Sequence, residues 1–449
     1  MNGFSGDTLK SAFMRSRARL GLAFLLCLHV VTCCLSLIYV AESYAYLQIF
    51  AFDKTRLYAS ALNVAPFAIA SVLFTFGRFS FGYILGFYFY TMILGYLWLV
   101  EFLKSHYDHT LATVSAFASA LAFLLPALFI TSPIKQRFIL SERALDNLLL
   151  FVLILAATIV AVGAFYNFRL VGIAEIYNFR DQLEFPAFLR YAIGVTSNAL
   201  LPFAFACFVA RGNQWRAAAV LLLLLLFYPV TLTKLVLFAP FWLLFLMLLS
   251  RFFEAGTSVV LSLFLPVSAG VILMFLFKSE ALSIEQVRDY FGTINFRMIA
   301  LPSIAIDLYS DFFSKHDHTY FCQISFLKPF VDCPYSDPLS IVMAKAYRFG
   351  NLNASLFATE GIASVGPILA PFVVLACGLV ISLGNRLSSG LPPRFILLSG
   401  GILPQVFLNV PLTTTVLTNG AAILFLLWYV TPRAMFEQKS IEQPIAERA

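Results

Sequence analysis

The chain has 449 residues, of which 61% are hydrophobic and only 12% charged. With a mean hydropathy of +0.87, it has too few polar side chains to cover a water-soluble fold, so most of its surface must face lipid or other helices. The net charge of +7 is not gathered into any Lys/Arg run, which excludes nucleic acid as a partner and leaves membrane lipids with anionic headgroups.

Crossing a bilayer takes roughly 20 apolar residues at about 1.5 Å each. Such runs occur at 20–40, 59–77, 80–103, 110–131, 147–168, 188–210, 217–233, 234–250, 256–277, 366–384, 395–410 and 416–431. The first follows a basic stretch, as a signal peptide would. It is too long for one and lacks a small-x-small cleavage site, so it reads as a retained span. The pair covering 217–250 is divided only by Thr231, Thr233 and Lys234. The expected fold class is all-α, a polytopic integral membrane protein of about twelve transmembrane helices with a large helical loop on the outer side.

Basic residues near span ends are retained in the cytoplasm. With the N-terminus inside, the inner segments hold Lys10, Arg15, Arg17, Arg19, Arg78, Lys135, Arg137, Arg143, Arg211, Arg216, Arg251, Arg386, Arg394, Arg433, Lys439 and Arg448, 16 of the 30 Lys and Arg. The domain plan is then a cytoplasmic N-terminus (1–19), nine spans (20–277), a long outer loop (278–365), three spans (366–431) and a cytoplasmic tail (432–449).

Polar material concentrates in two outward segments. The first holds Tyr166-Asn-Phe-Arg169 and Tyr177-Asn-Phe-Arg180, the same four letters eleven residues apart. On one continuous helix both arginines would share a face, about 16 Å apart and too far for one diphosphate to touch both. Alternatively Gly172 breaks the helix, or the segment is an interfacial amphipathic helix with its aromatics and arginines at headgroup level.

The long loop carries enough aromatics, from Tyr290 to Phe330, to fold as a cap. Ile284, Val287, Phe291 and Ile294 recur at helical spacing, which predicts a helix that ends near Arg297 with a break at Pro302. The loop has seven basic and nine acidic residues, so any anion there must be held by individual arginines, whose planar forks match phosphate. An arginine paired with one of the nine carboxylates is the alternative reading. Lys315-His316-Asp317-His318 offers His318 as a general base; a solvated turn is the plainer reading, and no third ligand accompanies the histidines for a metal. Asn351, Asn353 and Glu360 lead into the tenth span, where they could bond sugar hydroxyls, with Glu360 as an alternative base. The small residues around them would equally serve close helix packing. Cys322 and Cys333 share the loop and could pair in an oxidising compartment or remain two thiols; the other five cysteines lie within spans, and no Cys/His pattern points to a metal.

Together these features resemble the Wzy-type polymerases of bacterial surface polysaccharides. The shared points are the twelve-span plan, the Tyr177-x-x-Arg180 segment, the late large loop, and the order Arg297, Tyr309 with Phe312, Asn353-Ala, Glu360-Gly361 and Gly366. The resemblance implies an enzyme of the bacterial inner membrane that joins undecaprenyl-diphosphate-linked oligosaccharides at the periplasmic face. The transfer needs no metal or other cofactor, and a chain-length regulator is a possible partner. Arg169, Tyr177, Arg180, Arg297, Tyr309, Asn351 and Asn353 would bind substrate, with His318 or Glu360 as catalytic base. Arginines would stabilise charge growing on the leaving diphosphate, and the bundle would hold two lipid-anchored substrates in register. An O-antigen ligase shares this plan, and a flippase is the rival from another class. A non-catalytic assembly protein is also compatible with the topology.

Overall fold

A computed structural model describes residues 4–172, 175–180, 183–324, 327, 329–350 and 352–436, without the side chains of residues 4–16, Tyr177 and Arg180. Among the described residues every regular element is helical, apart from one isolated antiparallel bridge between Phe50 and Leu103. Eleven helices among the described residues are long and apolar enough to cross a membrane. A helix satisfies its backbone polar groups internally, which hydrocarbon demands of any segment within it. The protein is a polytopic all-α membrane protein.

Ten of these helices coincide with runs read from the sequence, from Arg17–Ser43 to Phe357–Ser388; the eleventh, Ile284–Phe313, lies inside the segment expected to be a loop. The last two expected spans are each divided. The run at 395–410 becomes Pro393–Gly400 and Leu403–Asn409, and that at 416–431 becomes Leu412–Leu417 and Ala421–Val430. The interruptions fall where backbone chemistry favours them: Gly401 and Pro404 at the first, and Gly420, at φ 89°, at the second. Proline lacks the N–H a continuing helix needs, and glycine alone takes positive φ without strain.

The chain forms two compact units, one of residues 1–78, 85–129 and 256–379 and the other of residues 79–84, 130–255 and 380–449. The core of the first is the stretch 85–102. Here Phe87, Phe89, Tyr90 and Tyr96 are buried, and Tyr90 stacks on Phe67 with ring centroids 4.7 Å apart. Lys278 pairs with Glu42, joining the ends of two spans. The Phe50–Leu103 bridge, with Ala51 N–H donating to Phe102 O at 2.8 Å, ties residues 44–53 to the loop at 103–108. These contacts define one face of the unit, called the cap face below.

Ile284–Phe313 starts and finishes at that face. It begins shortly after Lys278, and its Phe296 ring stacks on Tyr44 at 4.2 Å. It then dips inward, where buried Asn295 donates to Ser36 Oγ at 2.9 Å and Val267 O at 3.0 Å, and it ends with Asp307 and Asp311 against residues 105–107. It is one continuous helix and apolar enough to span. The helix also passes through Pro302, where the sequence predicted a break. The turns before it, Gly292–Ala300, are π-helical, and Leu301 N–H donates to Phe296 O, five residues back. Widening the helix one residue ahead of a proline relieves the ring's clash with the preceding turn. Arg297 therefore sits mid-helix and exposed, not at a helix end.

Cys322 and Cys333 are joined by a disulfide, Cα to Cα 5.2 Å, so the paired alternative holds. Alkylation of unreduced, denatured protein should modify five cysteines, and seven after reduction; seven without reduction would rule the bond out.

In the second unit the buried Trp428 indole donates to Ser399 Oγ at 2.9 Å, and Arg211 pairs with Asp146. Three segments meet at one face of this unit: Ile134 N–H donates to Arg386 O at 3.3 Å, and Leu140 N–H to Val430 O at 2.9 Å.

Candidate functional site

Leu301–Phe313, the last turns of the helix Ile284–Phe313, present two polar faces. Asp307 and Asp311, four residues apart and so on one face, meet the 103–109 loop. Asp307 is fully buried; Ser105 donates to one carboxylate oxygen and Tyr107 Oη to the other at 2.6 Å. Asp311 accepts from His106 N–H at 2.9 Å, Lys315 Nζ at 2.6 Å and Tyr347 Oη at 2.7 Å. Tyr96 and Tyr107 hydroxyls lie 3.0 Å apart, and Tyr107 stacks on His109 at 4.3 Å. Burial, then the nearby Tyr96 and Asp307, push the Tyr107 phenol far above its usual range; burial and the bond to Asp311 do the same to Tyr347. Both stay protonated and act as donors. Charge-assisted bonds to a carboxylate are the strong kind, so this cluster fixes the helix end to the cap-face loop.

The other face carries Tyr309, whose hydroxyl has Thr359 and Glu360 as polar neighbours and reaches Leu352 O at 3.5 Å. The segment it meets is irregular for a reason. Leu356 is buried at φ 59°, ψ −94°, a conformation that costs an L-residue energy and is held by its surroundings. The N–H groups of Glu360 and Gly361 both donate to Leu356 O, at 3.1 and 3.0 Å, opening the π-helical turn Phe357–Ile362. Glu360 is buried there, accepting from Ser355 Oγ at 2.9 Å. Single π turns concentrate at functional sites.

A turn closes over this segment. Thr319 N–H donates to Ala363 O at 2.8 Å, Tyr320 N–H to Ser364 O at 3.1 Å, and Gln323 Nε2 to Ser364 Oγ at 3.1 Å. Beneath it Gly366, at φ 77°, breaks the helix. A Cβ added to Gly366 would lie 2.8 Å from His318 Nε2, so only glycine admits the imidazole there. Burial lowers the pKa of His318 below its ordinary value, with Asp317 opposing, and the ring is neutral near pH 7. Its Nδ1 and the Gln323 Oε1 are both buried without a hydrogen-bond partner. Two such atoms beside one helix break mark a place built to accept donors from something else.

Of the residues singled out from sequence, Tyr309, His318 and Glu360 thus converge on the packed segments 301–323 and 352–366, with exposed Asn353 among them. Asn351 lies outside the described residues. Arg297 is on the same helix as Tyr309 but twelve residues earlier, about 18 Å away along the axis. The Tyr-Asn-Phe-Arg repeat belongs to the second unit, and the continuous helix considered for it is replaced by two pieces. The break comes at Asn167, before Gly172: Asn167 is extended and buried, donating to Pro229 O at 2.9 Å and Val230 O at 3.0 Å. Arg169 is exposed beyond it, its guanidinium 5.3 Å from the Phe179 ring centroid. Tyr177 and Arg180 fall in the short helix Ile176–Arg180. The two asparagines of the repeat differ, one buried and one exposed.

Sequence reasoning missed the Asp307–Asp311 cluster. The signal was present as two carboxylates one turn apart in an otherwise apolar stretch, Ile304 to Phe313, since ionisable groups in such a stretch need partners. Among the described residues no group of three His, Cys, Asp or Glu side chains is placed to hold a metal ion.

Comparison of the chain with protein-family models, with curated proteins and with solved structures finds no match. The reading of function therefore rests on this chain's own residues.

Proposed function

We propose that this protein polymerises lipid-diphosphate-linked oligosaccharide repeat units in the manner of the Wzy-type polymerases, by metal-independent glycosyl transfer at its cap face. The observation that carries the reading is the neutral His318 with its unpartnered Nδ1, set beside Gln323, Tyr309 and Glu360 at a helix break on that face. A neutral imidazole is the form of histidine that can serve as general base for a sugar hydroxyl. The cap-face disulfide supports an oxidising compartment, the periplasm, and hence residence in a bacterial inner membrane.

In this reading the acceptor hydroxyl oxygen attacks the anomeric carbon of the donor chain and its proton passes to the His318 imidazole. The bond from that carbon to the diphosphate oxygen breaks, and the electron pair leaves with the lipid diphosphate. Glu360, Gln323 and Asn353 position sugar hydroxyls. In the first unit Arg297 is the group suited to diphosphate, because guanidinium keeps its charge and offers two parallel donors; the resemblance gives the same role to Arg169 and Arg180.

The test is a gel of surface polysaccharide from a strain lacking the gene, complemented with wild type or with Arg180→Ala. Collapse of the ladder to core plus one repeat unit, restored only by wild type, is expected. An unchanged ladder would sink the reading for that polymer, and uncapped core with accumulating lipid-linked polymer would identify a ligase instead.

A further inference from the structure

In the second unit an apolar groove of about 210 Å³ runs between residues 380–388 and the two short helices after Pro411. Its walls include Val380, Leu383, Leu387, Val416 and Phe425, and Tyr429 lies at one end. Leu383 and Leu426 on its walls are 46% and 58% exposed, so the groove opens sideways, toward the hydrocarbon that surrounds these helices.

The end marked by Leu387 and Tyr429 is basic. Arg433 bridges the two walls there, donating to Leu387 O at 3.0 Å and Trp428 O at 2.9 Å. Arg386, next to Leu387, donates to Ser132 O at 3.2 Å. The Tyr429 hydroxyl donates to Lys135 O at 3.2 Å and accepts from Arg137 N–H at 2.7 Å, so these two residues are held at the same end by their backbones, with both side chains exposed. None of the four cations forms an ion pair among the described residues.

We infer that the groove holds one hydrocarbon chain of an anionic phospholipid of the surrounding bilayer, with the lipid phosphate among Lys135, Arg137, Arg386 and Arg433. A helix of a partner protein, about 10 Å across, is too large for this volume, whereas part of an acyl chain fits, with its remainder in the hydrocarbon at the open side. The charge decides the headgroup: basic pockets between membrane helices at the level of the interface attract anionic lipids. The site makes no use of the cap-face residues and does not depend on the proposed polymerase activity.

Native mass spectrometry of the full-length protein in mild detergent, titrated with phosphatidylglycerol or phosphatidylcholine, tests this. Wild type should retain phosphatidylglycerol preferentially. Lys135→Gln with Arg137→Gln, which leaves the backbone bonds to Tyr429 in place, should weaken retention about fivefold for each charge removed. Leu383→Trp, which fills the groove and leaves every charge in place, should abolish it. Equal retention of the two lipids by wild type, or undiminished phosphatidylglycerol in both variants, would overturn the assignment. So would displacement of phosphatidylglycerol by an equal concentration of a polyprenyl phosphate, which would give the groove to a substrate lipid.

Discussion

Asp307→Ala should be the most destabilising single substitution in the cap-face cluster, costing about 3 to 5 kcal/mol, since each bond to a charged group contributes roughly 1.5–3 kcal/mol. The carboxylate is fully buried and satisfies Ser105 and Tyr107 together. Its removal takes the shared acceptor from Ser105 and Tyr107 and frees the end of this helix from the loop at 103–109. The readout is the fraction of monodisperse protein surviving a temperature ramp in detergent. Asp307→Asn should lie between wild type and alanine, because an amide oxygen still accepts one of the two bonds while its NH₂ cannot accept the other. Equal survival of wild type and Asp307→Ala would show that the cluster does not hold the helix end.

His318→Ala should lower polymer formation by about 10²- to 10⁴-fold, the range for loss of a positioned general base, while thermal survival changes little because the ring donates no hydrogen bond to its surroundings through Nδ1. The pH dependence gives a second readout. Burial holds the imidazole below its ordinary value near 6.5, so the base is active when neutral and the acid limb of the wild-type rate should fall below about 6.5. The same shift fixes the sign for stability. The folded protein disfavours the protonated ring, so the contribution is complete above the unfolded pKa and is lost as pH falls through the lower folded one. Glu360→Gln should reduce transfer less than His318→Ala. The reverse order, with an acid limb in the carboxylate range, would move the base to Glu360.

Several of the working parts were readable from the chain directly. The hydrophobic runs located ten of the eleven span-length helices, their ends off by up to nine residues, because a bilayer demands length and apolarity and both are local properties of sequence. The polar residues of 278–365 stood out for the same reason. Pairings that join distant segments were not readable. Asp307 with Ser105 and Tyr107 spans about two hundred positions, and nothing local to either side shows which loop a buried carboxylate will meet. Nor did the sequence reading place Ile284–Phe313 among the span-length helices: it is apolar enough to span, yet its polar residues, Asn295, Asp307 and Asp311, made the segment read as part of a loop.

The sequence by itself determined that this is an all-α membrane protein, where ten of its span-length helices lie, and that polar residues gather in a late segment. Only the tertiary structure decided that Tyr309, His318 and Glu360 share one place while Arg169 and Asn167 serve another unit, that Cys322 and Cys333 pair, and that Leu356 and Gly366 hold strained or left-handed backbone around the site. The difference is physical: transfer from water to lipid acts on each segment separately, whereas hydrogen bonds between buried groups depend on which segments the fold brings within about 3 Å of one another.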